Sequence, residues 1–449
     1  MTSPRIAESL ALLRIAAPLI VSYLAEVLIV TVAKASLGKL GVAELGAAGV
    51  AADVGFTMMI IVIGFLSVVG VLVSGALGAE RREDVLPGLF QSLWLSLLIG
   101  AALTVAVYHL GSVLALLGQG PEVVALATPF ARAFSAGVLP LLLFSTLRGF
   151  AAALMRTRAV LLVMVATFGL AFIVMPGLIH GAFGLPALGI AGAGLAWAVL
   201  AWFKFIVLGL YTLWLIGRVK LPLPSTWLRK SLAAWPFIRL GVPIAGIMAL
   251  ESVLFAAVSV LSGKLGAEAM AAHQIVMAWI GIPFMVSLGF ADAAMVRVAY
   301  WHGAGDGAAA RRAGNLGLLI GLGAPLALVA LPLGAPQLLL HVFLDEAGAS
   351  GTAVPATVTR LLIVAAIFQL FDGMQAIASH ALRGLYDTRV PLVIATIGYW
   401  AIGLTGAYGL AFTLGLGIDG LWWGLALGLA FTGTLLAIRF ERLAKSRIG

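Results

Sequence analysis

Apolar runs long enough to cross a bilayer alternate with short polar breaks along the whole chain. Twelve can be drawn, at 15–36, 48–74, 88–117, 127–153, 159–180, 187–217, 238–262, 273–299, 313–343, 357–381, 390–413 and 419–440. Coiled as helices at ~1.5 Å per residue, these runs span a hydrocarbon layer of ~30 Å. The longest are expected to tilt or to run past the headgroups. The pattern predicts an all-α integral membrane protein with 12 transmembrane helices.

The chain then reads as a duplication. Residues 14–80 laid over 239–305 with a constant displacement of 225 bring Arg14 onto Arg239, Pro18 onto Pro243 and Glu26 onto Glu251. In the same frame Gly38-Lys39-Leu40-Gly41 falls on an identical Gly263-Lys264-Leu265-Gly266, and Gly64-Phe65 falls on Gly289-Phe290. With small shifts, Leu147-Arg148-Gly149 matches Leu382-Arg383-Gly384, and Leu188-Gly189-Ile190 matches Leu416-Gly417-Ile418. Each repeat holds an even number of spans, so both enter the membrane in the same direction. Two six-helix lobes related by a pseudo-twofold axis along the membrane normal are expected, with substrate bound between them near the midplane. The divisions are an N-terminal lobe at 1–217, a cytoplasmic linker at 218–238 and a C-terminal lobe at 239–449.

Composition agrees with the pattern. The 449 residues are 62% hydrophobic and 10% charged, where a soluble domain carries roughly 25% charged residues. Too few charges remain to cover a water-facing surface. Cysteine is absent, which excludes disulfides and thiolate metal sites. The net charge of +9 does not point to nucleic acid, because the basic residues form no patch. Of the 27 Lys and Arg residues, 21 fall in segments on one side of the alternating spans, from Arg5 and Arg14 through Arg383 and Arg389 to Lys445 and Arg447. The other six, Lys34, Lys39, Arg132, Lys204, Lys264 and Arg360, lie at opposite ends or within spans. This bias places both termini in the cytoplasm. Arg5, Arg14 and Ala33-Lys34-Ala35 imitate a cleavable signal. However, residues 15–41 recur as 240–266 in mid-chain, so the first run is read as a structural helix.

Charged residues at mid-span carry the candidate chemistry. Glu251 lies between Arg239 and Lys264, and Asp372 lies between Arg360 and Arg383. Each is about midway between its flanking basic residues, so both sit near the bilayer centre, where an acid costs about 2.5–3.5 kcal/mol on insertion scales. Two carboxylates at matched depth can share a monovalent cation or a proton, because an opposite charge favours their ionised state and burial favours protonation. The plainer alternative is that each acid hydrogen-bonds a neighbouring helix. Glu26 repeats Glu251 in the first half, whereas Asp372 has no counterpart and matches Gly137. Lys34 is too far along its helix to pair with Glu26 and is expected to snorkel outward. Asp53 and Asp292 are weaker signals, and His273 is expected to be structural. The substrate cavity is assigned Glu26, Lys34, Asp292, Gln274, Gln375 and Lys204. Gly415 to Gly420 spells G-x-G-x-x-G but follows no strand, which rejects a dinucleotide reading. Gly317 with Gly321, and Gly424 with Gly428, have helix-packing spacing. No P-loop, H-E-x-x-H or G-x-S-x-G occurs.

These residues together resemble the multidrug and toxic compound extrusion (MATE) transporters, of the NorM type. Leu240 through Pro243 to Glu251, followed by Ala271-Ala272-His273-Gln274, is similar to that family's seventh helix. Phe368-Gln369-Leu370-Phe371-Asp372, with Leu382-Arg383-Gly384 and Asp387-Thr388-Arg389, is similar to its tenth helix and the loop after it. Pro186-Ala187-Leu188-Gly189 with Gly192 and Gly194 is similar to the start of its sixth. The resemblance implies that Glu251 and Asp372 are the cation-site acids, with Phe368 as the neighbouring aromatic, and that Na+ is the metal ion if one couples. The chain departs from the family at Ala33, where an aspartate is common, and near Met175-Pro176, where an asparagine is expected. Coupling should therefore rest on the C-terminal lobe, with Glu26 a possible local substitute.

The expected function is secondary antiport: export of organic cations, drugs or toxic metabolites in exchange for Na+ or H+, with no other cofactor. The expected protein is a monomer in the inner (plasma) membrane, and not an enzyme. An exporter of lipid-linked or peptide-like substrates is the alternative within transport. It should line its cavity with several basic residues, and only Lys204, Lys34 and Arg132 are candidates. An intramembrane enzyme or a scaffold is the alternative outside transport, but no nucleophile clusters with a base.

Overall fold

The computed structural model describes residues 3–334, 336–343 and 353–446; Arg447, one of the basic residues assigned to the cytoplasmic side, lies outside them. Among the described residues every regular element is helical. Eleven helices are long and apolar enough to cross a membrane, or twelve if one bent pair counts as a single span. We number them α1 (Pro4–Gly38), α2 (Val42–Gly78), α3 (Arg82–Tyr108), α4 (Pro121–Ser135 with Val138–Ala153), α5 (Thr157–His180), α6 (Gly189–Val219), α7 (Trp235–Lys264), α8 (Ala267–Gly303), α9 (Gly307–Gly334), α10 (Val354–Gly384), α11 (Arg389–Thr413) and α12 (Gly417–Lys445). Large apolar side chains such as Leu162, Leu210, Leu213, Val260 and Leu319 are exposed. That is the surface a lipid-facing helix requires, since its backbone bonds are satisfied internally.

The duplication is visible in the helix boundaries. Helix α2 runs from 42 to 78 and α8 from 267 to 303, both ends displaced by the same 225 positions. The copies differ inside: α2 is interrupted at Ser67, whereas α8 is continuous through Pro283.

The bend in α4 is 47° and stems from Pro140, which has no N–H for the carbonyl of Ala136. The Trp202 indole of α6 donates to that carbonyl at 3.1 Å. The third apolar run, read as continuous over 88–117, breaks at His109 into α3 and a short helix, Leu110–Leu116. The ninth, read over 313–343, ends α9 at Gly334, and a short helix comes next at Pro336–Phe343.

The described chain divides into two compact units. One comprises residues 17–245; the other comprises 1–16 with 246–449. In the first, α6 approaches α4 and α5 closely. A methyl at Gly194 would lie 2.4 Å from the Phe130 carbonyl oxygen, and one at Gly192 would lie 2.0 Å from that of Leu178. The stretch 218–238, read as a linker, contains a helix, Trp227–Leu232, folded onto α3 in this unit. Lys230 meets Asp84 at 2.5 Å, the Gln91 side chain donates to the Ala233 carbonyl, and the rings of Trp227 and Phe90 pack at 5.5 Å.

In the second unit, α8 holds the start of α1. Arg297 donates through Nε and Nη2 to the two carboxylate oxygens of Glu8, each at 2.7 Å, and the Trp301 indole donates to the same carboxylate at 3.0 Å. Both charged residues are buried. A two-pronged guanidinium–carboxylate bond with a third donor is the geometry that tolerates such burial.

Candidate cation site

Helix α10 carries one polar face through an apolar core. Phe368, Asp372, Gln375, Ser379 and Arg383 succeed one another at spacings of four, three, four and four, which stacks them on one side of a helix. All five are buried, and Asp372 is 4% exposed. Such a row inside a membrane segment requires partners. Several of its atoms have none within the protein: Asp372 Oδ1, Gln375 Oε1, Ser379 Oγ, Arg383 Nε and Nη2, and both side-chain polar atoms of the adjacent Gln369. The face thus presents side-chain oxygens of Asp372, Gln375, Ser379 and Gln369, the donor type that suits a small cation or a chain of waters.

Glu251, half-buried on α7, faces this row. Its charge acts on Asp372, and the Tyr399 hydroxyl lies close to its carboxylate. That hydroxyl in turn accepts from the Gln375 side-chain amide at 2.5 Å. Tyr399 therefore lies between Glu251 of α7 and Gln375 of α10, one turn from Asp372. It sits in the first of two π-helical stretches of α11, Ile397–Leu404 and Gly409–Thr413. Each wide turn rotates the next stretch of the helix away from ordinary α-helical register. Glycines of α12 let α11 pack against it at backbone distance: a methyl at Gly424 would lie 2.1 Å from the Ala407 nitrogen, and one at Gly428 2.6 Å from the Gly398 carbonyl oxygen.

Arg383, read from sequence as a basic residue at the membrane face, is buried at 3% exposure. The reason is local. His380 Nδ1 lies 2.8 Å from the Ala376 carbonyl and must carry the proton to donate there, which leaves Nε2 to accept from Arg383 Nη1 at 3.1 Å. This fixes the neutral tautomer of His380. The 3.7 Å approach of its Nε2 to Asp292 of α8 is then no ion pair, and the countercharge acting on Asp292 is Arg383, which also acts on Glu251. Asp292 is thereby drawn into the network of the α10 face.

Phe368 packs edge-on against Trp422 at 5.5 Å and against Phe255 at 6.2 Å. Trp422 packs against His273 at 5.7 Å. His273 Nε2 meets Ser259 at 3.3 Å, while its Nδ1 is buried without a partner. These rings form an apolar wall beside the acids. Gln274, the next residue of α8, is exposed. Among the described residues no three His, Cys, Asp or Glu side chains cluster as a metal site, so the second unit offers a carboxylate pair supplemented by neutral oxygens.

In the unit of residues 17–245, Glu26 and Lys204 meet. Lys204 Nζ donates to both carboxylate oxygens of Glu26, at 3.0 and 3.1 Å, and lies 5.5 Å from the centre of the Phe144 ring. Lys34 is exposed, and its charge reaches Asp53 on α2. Ala33, where the resemblance expects an acid, is buried.

Sequence reading missed Tyr399, His380 and the inward role of Arg383, and it named Glu26 and Lys204 without pairing them. Arg383 and His380 share the α10 face with Asp372, so extending that stripe would have found them. Tyr399 gave no such signal, because the π turns displace it from ordinary register.

A bundle of this many apolar helices, with charges held in pairs and networks inside it, defines a polytopic membrane transporter. The family model MatE matches residues 18–176 and 243–408. The chain is 37% identical to a probable multidrug resistance protein NorM of Pseudomonas putida, over 98% of this chain and 96% of that one. It is also 37% identical to the multidrug resistance protein NorM of Burkholderia vietnamiensis, over 97% and 94%. Its fold matches a crystal structure of a eukaryotic MATE transporter with a TM-score of 0.87 at 23% identity, covering 99% of either chain. An outward-facing multidrug resistance MATE family transporter matches with a TM-score of 0.85 at 19% identity, over 98% of this chain and 96% of that one. The protein belongs to the MatE family.

Proposed function

We propose that this protein is a secondary active multidrug antiporter, not an enzyme, that exports drug-like organic molecules, cationic amphiphiles among them, in exchange for Na+ or H+. The 21-to-6 bias of basic residues supports cytoplasmic termini, and the plasma membrane is the location we propose. The names of the NorM relatives support the substrate class. The observation that carries the coupling is the Glu251–Asp372 pair, with the partner-free oxygens of Asp372 and Gln375 beside it.

Exchange requires that cation and substrate favour different states of the protein, because a ligand shifts an equilibrium only by its difference in affinity. The acid pair supplies that difference. Holding a cation or proton, it is partly neutralised; empty, it repels itself and attracts positive charge. Tyr399 and Gln375 hold Glu251 in place, Phe368 offers an aromatic face beside the acids, and Arg383 balances charge at one end of the row. Asp292, Gln274, Lys34 and the Glu26–Lys204 pair are assigned to substrate contact. The test is efflux of a fluorescent organic cation from proteoliposomes of the single chain. An imposed inward Na+ or H+ gradient should accelerate efflux; equal rates with and without either gradient would refute antiport.

A further inference from the structure

Residues 227–239 lie level with the point where α3 enters its apolar run, drawn from sequence at 88–117. Lys230 meets Asp84, just before that run, at 2.5 Å. The Gln91 side chain, within the run, donates to the Ala233 carbonyl, and the Trp227 ring packs on Phe90. Asp84 and Gln91 are about 10 Å apart along their helix, so the short helix Trp227–Leu232 straddles the boundary between polar and apolar chain. Phe237 secures the far end, its ring 5.2 Å from that of Phe65 on α2. With Ser231 and Phe237 buried, one side of the segment is fixed against its own unit. The other side is bare: Leu228, Leu232 and Trp235 are 50%, 60% and 69% exposed. Leu228 and Leu232, four apart, share a helix face. Arg229 beside them, and Arg239 one turn past Trp235, are also exposed. Among the described residues neither arginine forms an ion pair.

We propose that residues 227–239 form an interfacial anchor, in which Leu228, Leu232 and Trp235 insert into the membrane leaflet where α3 begins while Arg229 and Arg239 bind the headgroup of an anionic phospholipid. Bare apolar side chains at this depth gain by meeting hydrocarbon, and a tryptophan is favoured where hydrocarbon gives way to headgroups. A guanidinium presents paired N–H donors to two oxygens of a phosphate diester. A zwitterionic lipid is the poorer ligand, because its own ammonium competes for that phosphate. A water-soluble partner would have to displace lipid to reach a face level with Gln91. The anchor holds the start of α7 at a set depth, whether or not the protein is an antiporter.

The sequence contains no cysteine, so a bimane fluorophore attached at Leu232→Cys reports on this face alone. The labelled full-length protein is placed in vesicles of equal phosphatidylcholine and phosphatidylglycerol, and each lipid in turn carries brominated chains. Quenching then reads which lipid touches the label, and a label at Leu213→Cys on α6, where the native side chain is 68% exposed, supplies the reference for full lipid contact. Both lipids should quench at Leu232→Cys. Phosphatidylglycerol should be enriched there about fivefold, the equivalent of ~1 kcal/mol for one basic residue near the surface. Arg229→Gln with Arg239→Gln should return the ratio to near unity and leave quenching by phosphatidylcholine in place. Absence of quenching by either lipid would overturn insertion and leave this face to a water-soluble partner. Equal quenching with both arginines present, or an enrichment that survives their loss, would overturn the headgroup site. If Leu232→Cys does not yield a monodisperse protein, the same reading is taken from Leu228→Cys on the same helix face.

Discussion

The Gln375 side chain donates to the Tyr399 hydroxyl at 2.5 Å, joining α10 to α11 one turn from Asp372. The same hydroxyl lies close to Glu251, where it can orient the glutamate without adding charge. Tyr399→Phe keeps the ring and removes this link. It also leaves a buried amide without its partner, a cost of about 1–3 kcal/mol. The expected result is a loss of about tenfold in apparent affinity for the coupling cation, with expression retained. Transport rates measured against cation concentration check this; an unchanged half-saturating concentration would show that the hydroxyl does not position Glu251.

The clasp between Glu8 and Arg297 makes a separate prediction about stability. Removing one member of a buried ion pair strands the other and costs about 3–5 kcal/mol. Glu8→Ala should therefore lower the thermal unfolding midpoint of the purified protein markedly. Glu8→Gln, which keeps hydrogen-bond acceptance on one oxygen, should cost less. Equal midpoints for all three proteins would mean that the start of α1 contributes little to its unit.

The contact of α11 with α12 depends on having no side chain at Gly424, where a methyl would lie 2.1 Å from the Ala407 nitrogen. Gly424→Val should reduce the yield of monodisperse protein severely. The same change at Gly409, where a methyl meets nothing within 4 Å, should be tolerated. Similar yields from both variants would contradict the packing described for Tyr399.

Much of this architecture was legible in the sequence because a membrane enforces it. Apolar runs must be helices in lipid, and a duplication constrains its copies, so α2 and α8 begin and end in step. Glu251 and Asp372 stood out because an acid at mid-span is costly. The hidden features depended on contacts between distant residues and on departures from regular geometry. Glu26 and Lys204 are 178 positions apart, and neither spacing nor composition relates them. Tyr399 sits in a π-helical segment that ordinary periodicity does not anticipate. The bend in α4 was not anticipated, since its run was read as continuous over 127–153, and its stabilisation by Trp202 required the fold.

Whether Glu251 and Asp372 act as one cation site is read most directly from substrate-driven cation movement in proteoliposomes. The comparison is of the unmodified protein with Glu251→Gln, Asp372→Asn and the double variant. Each single substitution should abolish coupled movement while the protein still inserts and purifies normally, since the burden of burying that charge is removed with the charge. The double variant should be little worse than either single one, because groups that act as a unit are not additive. Coupled movement at the unmodified rate in both single variants would contradict a shared cation site and leave the two acids a structural role.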